Sequence, residues 1–191
     1  MLGANSNMPV YTPEKIEFGL PLPSFNLLGV DGKSYTQKHF QNGEPLVVMF
    51  ICNHCPYVQA IEDRLIQLAH DLKKINVNVV AICSNDEINY PDDRFEKLQE
   101  RATLKKYSFT YLHDSTQEVA HRFGAVCTPD FFVYDKQGKL AYRGRLDNSW
   151  KDATLVSERE LYRAVLELHQ NQPISQPQTP SMGCSIKWTR K

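Results

Sequence analysis

The sequence predicts an α/β fold, with a central mixed sheet, helices on both of its faces and an N-terminal β-hairpin. Three observations carry this. Two short, continuous apolar runs rich in β-branched residues, "PLVVMFI" (45–51) and "VNVVAIC" (77–83), suit strands buried on both faces. Each is followed by a stretch whose pattern reads as helix. Ahead of them, "FNLLGVDGKSY" alternates around Asp31-Gly32, a strong hairpin signal.

The elements follow in order. Residues 1–23 hold four prolines and little periodicity, and read as an extended leader. After the hairpin and the first buried strand, Val58, Ile61, Leu65, Leu68 and Leu72 recur at helical spacing with polar residues between them, an amphipathic helix of about four turns. The second strand is followed by "PDDRFEKLQERATLKKY", a helix with Pro91 suited to its start and acids in its first turn. "FTYL" is a third strand, and Ser115-Thr116 with Glu118 opens a short helix, "QEVAHRF", which Gly124 suits as a terminator. "DFFVYDKQGKLAYRG" reads as a second hairpin. "SERELYRAVLELHQ" is the last helix, with Ser157 and Glu160 at capping-box spacing. One domain over 24–170 is expected, then a Pro-rich tail, 171–191, that carries Cys184. Strands alternating with helices predict a mostly parallel central sheet, to which the closing hairpin adds antiparallel strands.

Composition narrows the function. Lys+Arg and Asp+Glu balance at 22 each, without the basic excess expected of a nucleic-acid binder. No run approaches the length of a membrane span, and the N-terminus lacks the pattern of a signal peptide, so a cytoplasmic protein is expected. The five cysteines, an odd count, argue against a static disulfide framework. In a reducing compartment, paired cysteines are more often catalytic, redox-sensing or metal-binding.

The pair at C-x-x-C spacing is Cys52 and Cys55, where "VVMFICNHCPYVQ" passes from strand to helix. If Cys52 capped the helix, Pro56 would fall where its missing N–H removes the first intrahelical bond. If Cys55 is the N-cap, Pro56 takes the first helical position, which proline prefers. The second frame sets the Cys55 sulfur beside free N–H groups and the positive end of the helix dipole, both of which favour thiolate. A protonated His54 would act in the same direction. Cys83, at the end of a predicted strand, reads as a buried hydrophobe. A metal site could be drawn from Cys52, His54, Cys55 and either Cys127 or Cys184, but no second C-x-x-C or paired histidines support it, and no metal is assigned.

Three stretches resemble the thioredoxin superfamily, and within it the redoxin branch and its peroxiredoxin-like group: "PSFNLLGVDGKSYTQKHF", "FICNHCPYV" and "GAVCTPDFFVYDKQGKLAYRGRLD", with a terminal "GCSIKW". The resemblance covers roughly residues 24–170. It implies a thioredoxin-like fold and a thiol-disulfide oxidoreductase working through mixed disulfides. Thr128-Pro129 matches the family's cis-proline, whose loop, with Pro56, would shape the substrate groove. Cys55 would attack and Cys52 would resolve, with Cys127 and Cys184 as other candidates for the resolving role. The expected partners are a protein or small-molecule disulfide, with a thioredoxin or glutathione system as electron donor and no organic cofactor. A thiol peroxidase acting on hydroperoxides is the first alternative, and a redox sensor or metal-binding module the second. The peroxidase pattern P-x-x-x-T-x-x-C is incomplete: counting back from Cys55 gives Cys52 and Val48, and from Cys52 gives Met49 and Pro45. Arg143 or Arg145 could polarise a peroxide, although an arginine after a hairpin is more commonly a solvated surface residue.

Overall fold

The computed structural model describes residues 9–189. The strands are β1 (Val10–Tyr11), β2 (Asn26–Gly29), β3 (Ser34–Thr36), β4 (Leu46–Phe50), β5 (Asn78–Cys83), β6 (Thr110–His113), β7 (Cys127–Thr128), β8 (Asp130–Tyr134), β9 (Leu140–Gly144) and β10 (Met182–Ser185). The helices are α1 (Pro56–Lys73), α2 (Phe95–Lys105), α3 (Glu118–Phe123) and α4 (Glu160–His169). Seven strands form the central sheet in the order β3-β2-β6-β5-β4-β8-β9, and β1-β10-β7 form a small second sheet.

The central sheet is mixed rather than mostly parallel. Only β4 with β5 and β5 with β6 pair in parallel; the two hairpins bring antiparallel partners to both flanks. Strand β4 lies inside the sheet between β5 and β8, and its five residues are almost wholly buried, as its continuous apolar run requires. Its alternation divides the core. Val47 and Met49 face α1, α2 and α4, where they meet Leu65, Leu98 and Leu161. Val48 and Phe50 face α3 and the N-terminal hairpin, where they meet Phe123 and Phe25. Helices therefore cover both faces, and burying each large side chain of β4 contributes about 1.5–3 kcal/mol.

Three expectations shift locally. Pro91 opens a separate 3₁₀ turn, Pro91–Asp93, and the helix begins after Arg94, whose extended backbone separates the two. The last helix starts at Glu160 with no side-chain cap, because Ser157 is engaged with Asn148 instead. The leader and tail also belong to the fold where they are described. Val10 pairs with Gly183 and Tyr11 with Met182, so β1 and β10 close over the body of the molecule. Residues 1–8 of the leader and 190–191 of the tail lie outside the described residues.

Candidate active site

Cys55 is the N-cap of α1, with extended backbone (φ −73°, ψ 118°), and Pro56 holds the first helical position. This is the frame that the placement of Pro56 predicts. The first intrahelical bond runs from Gln59 N–H to the Cys55 carbonyl at 3.0 Å. The Gln59 side chain reaches back to the Asn53 carbonyl at 2.7 Å, tying the helix to the loop before it. Pro56 itself is exposed beside the site.

The opposite wall is the Thr128-Pro129 segment, whose peptide bond is cis. The Cys55 thiol, when protonated, donates to the Thr128 carbonyl at 3.0 Å, and Cys52 Sγ lies 3.3 Å from Thr128 Oγ1. One residue thus touches both sulfurs. The thiols of Cys52 and Cys184 are the neighbours that act most on the Cys55 sulfur. The neighbouring thiols and the Thr128 side chain draw the Cys55 pKa well below the ordinary thiol value, whereas the Thr128 carbonyl, which accepts from the protonated thiol, favours the neutral form. The Cys184 thiol contributes most, the Cys52 thiol next; burial opposes them, and Thr128 adds to the lowering. The helix N-terminus acts in the same sense. The partners shift upwards: Cys184 through Cys55 and then burial, Cys52 through burial and then Cys55. The arrangement stabilises one thiolate flanked by two neutral thiols.

His54 does not join this group. Its Nδ1 lies 2.6 Å from Asp93 Oδ2, and its ring stacks on Tyr90 at 4.9 Å. Asp93, fully buried, is the residue that reading the sequence missed: its acid looked like a favourable charge in a first helical turn. Its carboxylate also accepts from Asn53 N–H at 2.7 Å and from the Asn85 side chain at 2.8 Å, so it pins the loop between the two cysteines. Cys52, His54 and Asp93 offer ligand atoms within 4.8 Å of one another. The hydrogen bonds already made by the carboxylate leave little of it for a metal ion.

The other candidates separate clearly. Cys127 is buried with its Sγ toward the Pro129 carbonyl at 3.5 Å, and alternation along β7 turns it away from the face that Thr128 presents to Cys52. Cys83 is wholly buried in the core, as expected. Neither expected arginine is free to polarise a peroxide. Arg143, far from being a solvated surface residue, is buried against Asp130 at 2.9 Å and the Gly124 carbonyl at 2.8 Å. Arg145 makes a bidentate pair with Glu160. Beside Pro129 opens a cleft of about 360 Å³ lined by Tyr57, Trp150, Arg145 and Met182 among others.

A cysteine at a helix mouth, facing a cis-proline on a mixed sheet of this order, fits the thioredoxin-like fold that the resemblance implies, although it is the second cysteine of the pair that caps the helix. The AhpC/TSA family model matches residues 18–143. The chain belongs to that family. Among solved structures, this AhpC/TSA member is similar to an uncharacterised conserved protein of Geobacillus kaustophilus, 38% identical with full coverage of both chains and a TM-score of 0.92. It is also similar to a hypothetical protein of Sinorhizobium meliloti, 35% identical over 93% of this chain and 97% of that one, with a TM-score of 0.88. A curated relative is the thiol:disulfide interchange protein DsbE of Yersinia pestis, 29% identical over 147 residues, which are 74% of this chain and 73% of the relative.

Proposed function

We propose that the protein is a thiol-disulfide oxidoreductase of the redoxin type in which Cys55 is the nucleophile. The observation that carries this is the Cys55 sulfur at the N-cap of α1, against the cis Thr128-Pro129 segment. The name of the DsbE relative supports the same reaction class. The Cys55 thiolate attacks one sulfur of a disulfide, forms a mixed disulfide and expels the other sulfur as a thiolate. A second protein thiol then attacks the Cys55 sulfur, releases the bound half as a thiolate and leaves an internal disulfide. Two electrons pass from two protein thiols to the substrate. A thioredoxin or glutathione system would restore the dithiol, and the second thiol is one of the neighbours of Cys55, with Cys52 the choice on C-x-x-C spacing alone and Cys184 the other. The cleft beside Pro129 would accept the apolar part of the substrate around its disulfide.

Hydroperoxide reduction is supported less well, because Arg143 and Arg145 are both committed to carboxylates and Cys52 stands where the peroxidase pattern has threonine. The test removes both thiols beside Cys55. A protein carrying Cys52→Ser and Cys184→Ser should accumulate a mixed disulfide on Cys55 when mixed with oxidised glutathione, visible as one added glutathione by intact mass. Adding Cys55→Ser to it should remove the adduct. An unmodified double variant would sink the reading.

A further inference from the structure

With β10 in place, Cys55 has no exposed surface at all. What covers it is the chain's own tail. Strand β10 pairs antiparallel with β7, Cys184 opposite Thr128 and Ser185 opposite Cys127. That edge of the Thr128-Pro129 segment is where a substrate chain would add its own strand, since main-chain pairing at an open edge is a general way to hold an extended peptide. Residues directly opposite in an antiparallel pair present their side chains on the same face. Cys184 therefore shares the face on which Thr128 meets Cys52 and Cys55, and it packs against the cluster that contains both.

The seat is shaped for this strand. A Cβ on Gly183 would lie 2.0 Å from the Thr128 carbonyl oxygen and 2.9 Å from the Pro129 nitrogen, so only glycine fits before the cysteine. Ser181 Oγ donates to the Pro129 carbonyl at 2.9 Å, and Ile186 N–H to the Val126 carbonyl at 3.1 Å, fixing the strand on either side of Cys184. Cys184 is only half-buried, whereas Cys52 and Cys55 are shut in.

We propose that β10 is a tethered stand-in for the substrate strand, and that Cys184 is the thiol that resolves the Cys55 mixed disulfide. The inference rests on Cys55 being the nucleophile, as proposed above. An incoming polypeptide disulfide displaces β10 from the edge of β7, and Cys55 takes one of its sulfurs. When β10 returns it displaces the substrate chain, and the Cys184 thiol, no longer beside a Cys55 thiolate, gives its proton to water and attacks the Cys55 sulfur. A Cys55–Cys184 bond forms, the Cys55–substrate bond breaks, and the substrate leaves as its thiolate. Oxidation thus latches the strand over the site and reduction unlatches it. The substrate class that fits is an extended polypeptide with a small residue immediately before its reactive cysteine.

The experiment is disulfide mapping of the full chain after a slight molar excess of oxidised glutathione, with the peptides kept unreduced. Trypsin leaves Cys52 and Cys55 together on residues 39–64 and Cys184 on residues 164–187. The expected product joins these two peptides, persists in Cys52→Ser and is absent in Cys184→Ser. A bond within 39–64, with Cys184 still alkylatable, overturns the proposal while leaving the oxidoreductase reading intact. Failure of the glutathione trap in the Cys52→Ser, Cys184→Ser protein would instead remove the reading beneath it. Gly183→Ala supplies an independent arm. With the strand unseated, alkylation of Cys55 by iodoacetamide should quicken about tenfold, and the interpeptide bond should form poorly. An unchanged alkylation rate in a folded Gly183→Ala protein would show that the strand does not gate the sulfur.

Discussion

Helix α1 buries two anionic groups two turns apart, and they are stabilised in different ways. At its N-cap the Cys55 sulfur is held by neutral thiols, by Thr128 and by the helix end. Farther along, the Glu62 carboxylate is buried against Arg101, which meets it at 2.6 and 2.9 Å, Lys105 at 3.1 Å and the Tyr107 hydroxyl. Glu62 is neutralised by full positive charges in fixed geometry, and nothing remains for it to do but hold α1 to α2. Among the described residues Cys55 has no cation in contact, so its charge is stabilised while its electron pair stays available. The difference teaches that burying an anion does not by itself mark a reactive group: the kind of donor separates a structural anion from a nucleophile.

The sharpest test of that contrast exchanges the two. Cys55→Ser should lower disulfide-exchange turnover by about 10³-fold or more, since the nucleophile itself is lost. Glu62→Gln should leave turnover within about twofold, read as oxidised glutathione consumed by matched, folded samples. Stability is read separately: removing the Glu62 charge strands the facing cations and should cost about 3 kcal/mol, lowering Tm by about 10 °C. Equal activity losses from the two variants would erase the distinction.

Their pH dependence separates them further. Both groups have folded pKa values below their ordinary ones. For Glu62, burial pushes upward, and the hydrogen bonds from Arg101, Tyr107 and Lys105 together overcome it. A group depressed in this way contributes stability in full above its unfolded pKa and loses it as pH falls toward the folded one. For Glu62 the loss falls below the usual carboxylate value of 4.5. For Cys55 it begins below the usual thiol value of 9.0, while Cys52 and Cys184, shifted upward, stay neutral on that side and contribute nothing. The reduced protein should therefore lose stability from about pH 9 downward relative to Cys55→Ser, whereas Glu62→Gln should flatten only the acid limb. Denaturant melts across pH measure both, and a Cys55→Ser difference that does not change between pH 9 and 6 would contradict a depressed thiol.

Much of this was legible in the sequence because local physics determined it. Pro56 settles which cysteine caps α1, and the continuous apolar run of β4 announces a strand buried on both faces; Thr128-Pro129 as the second wall comes from the resemblance. What stayed hidden depended on distant partners. Asp93 looks like any first-turn acid until the fold brings Asn53 and His54 to it. Arg143 looks solvated until Asp130 and Gly124 enclose it. Strand β10 has four residues with prolines upstream, too short for any periodicity to register, and its pairing with β7 joins segments more than fifty residues apart. His54, whose place beside Cys55 suggested influence on the sulfur, has its Nδ1 on Asp93, a partner that its neighbours in sequence did not indicate.

Cys127 allows the smallest and most discriminating form of the comparison, because it is a buried thiol only two residues from Pro129. Burial pushes its pKa up, the Asp130 carboxylate adds to the rise, and the Arg143 guanidinium only partly offsets them. No neighbouring thiol donates to it; its own S–H points to the Pro129 carbonyl. A sulfur so placed stays protonated and cannot attack. Cys127→Ser should then leave disulfide exchange within about twofold and cost about 1 kcal/mol, the scale of a buried polar group with an imperfect partner. Kinetics with oxidised glutathione and a urea melt of the same sample read both. A large loss of exchange with unchanged stability would mean that Cys127 takes part in resolution, and that proximity to Pro129 counts for more than the donors around each sulfur.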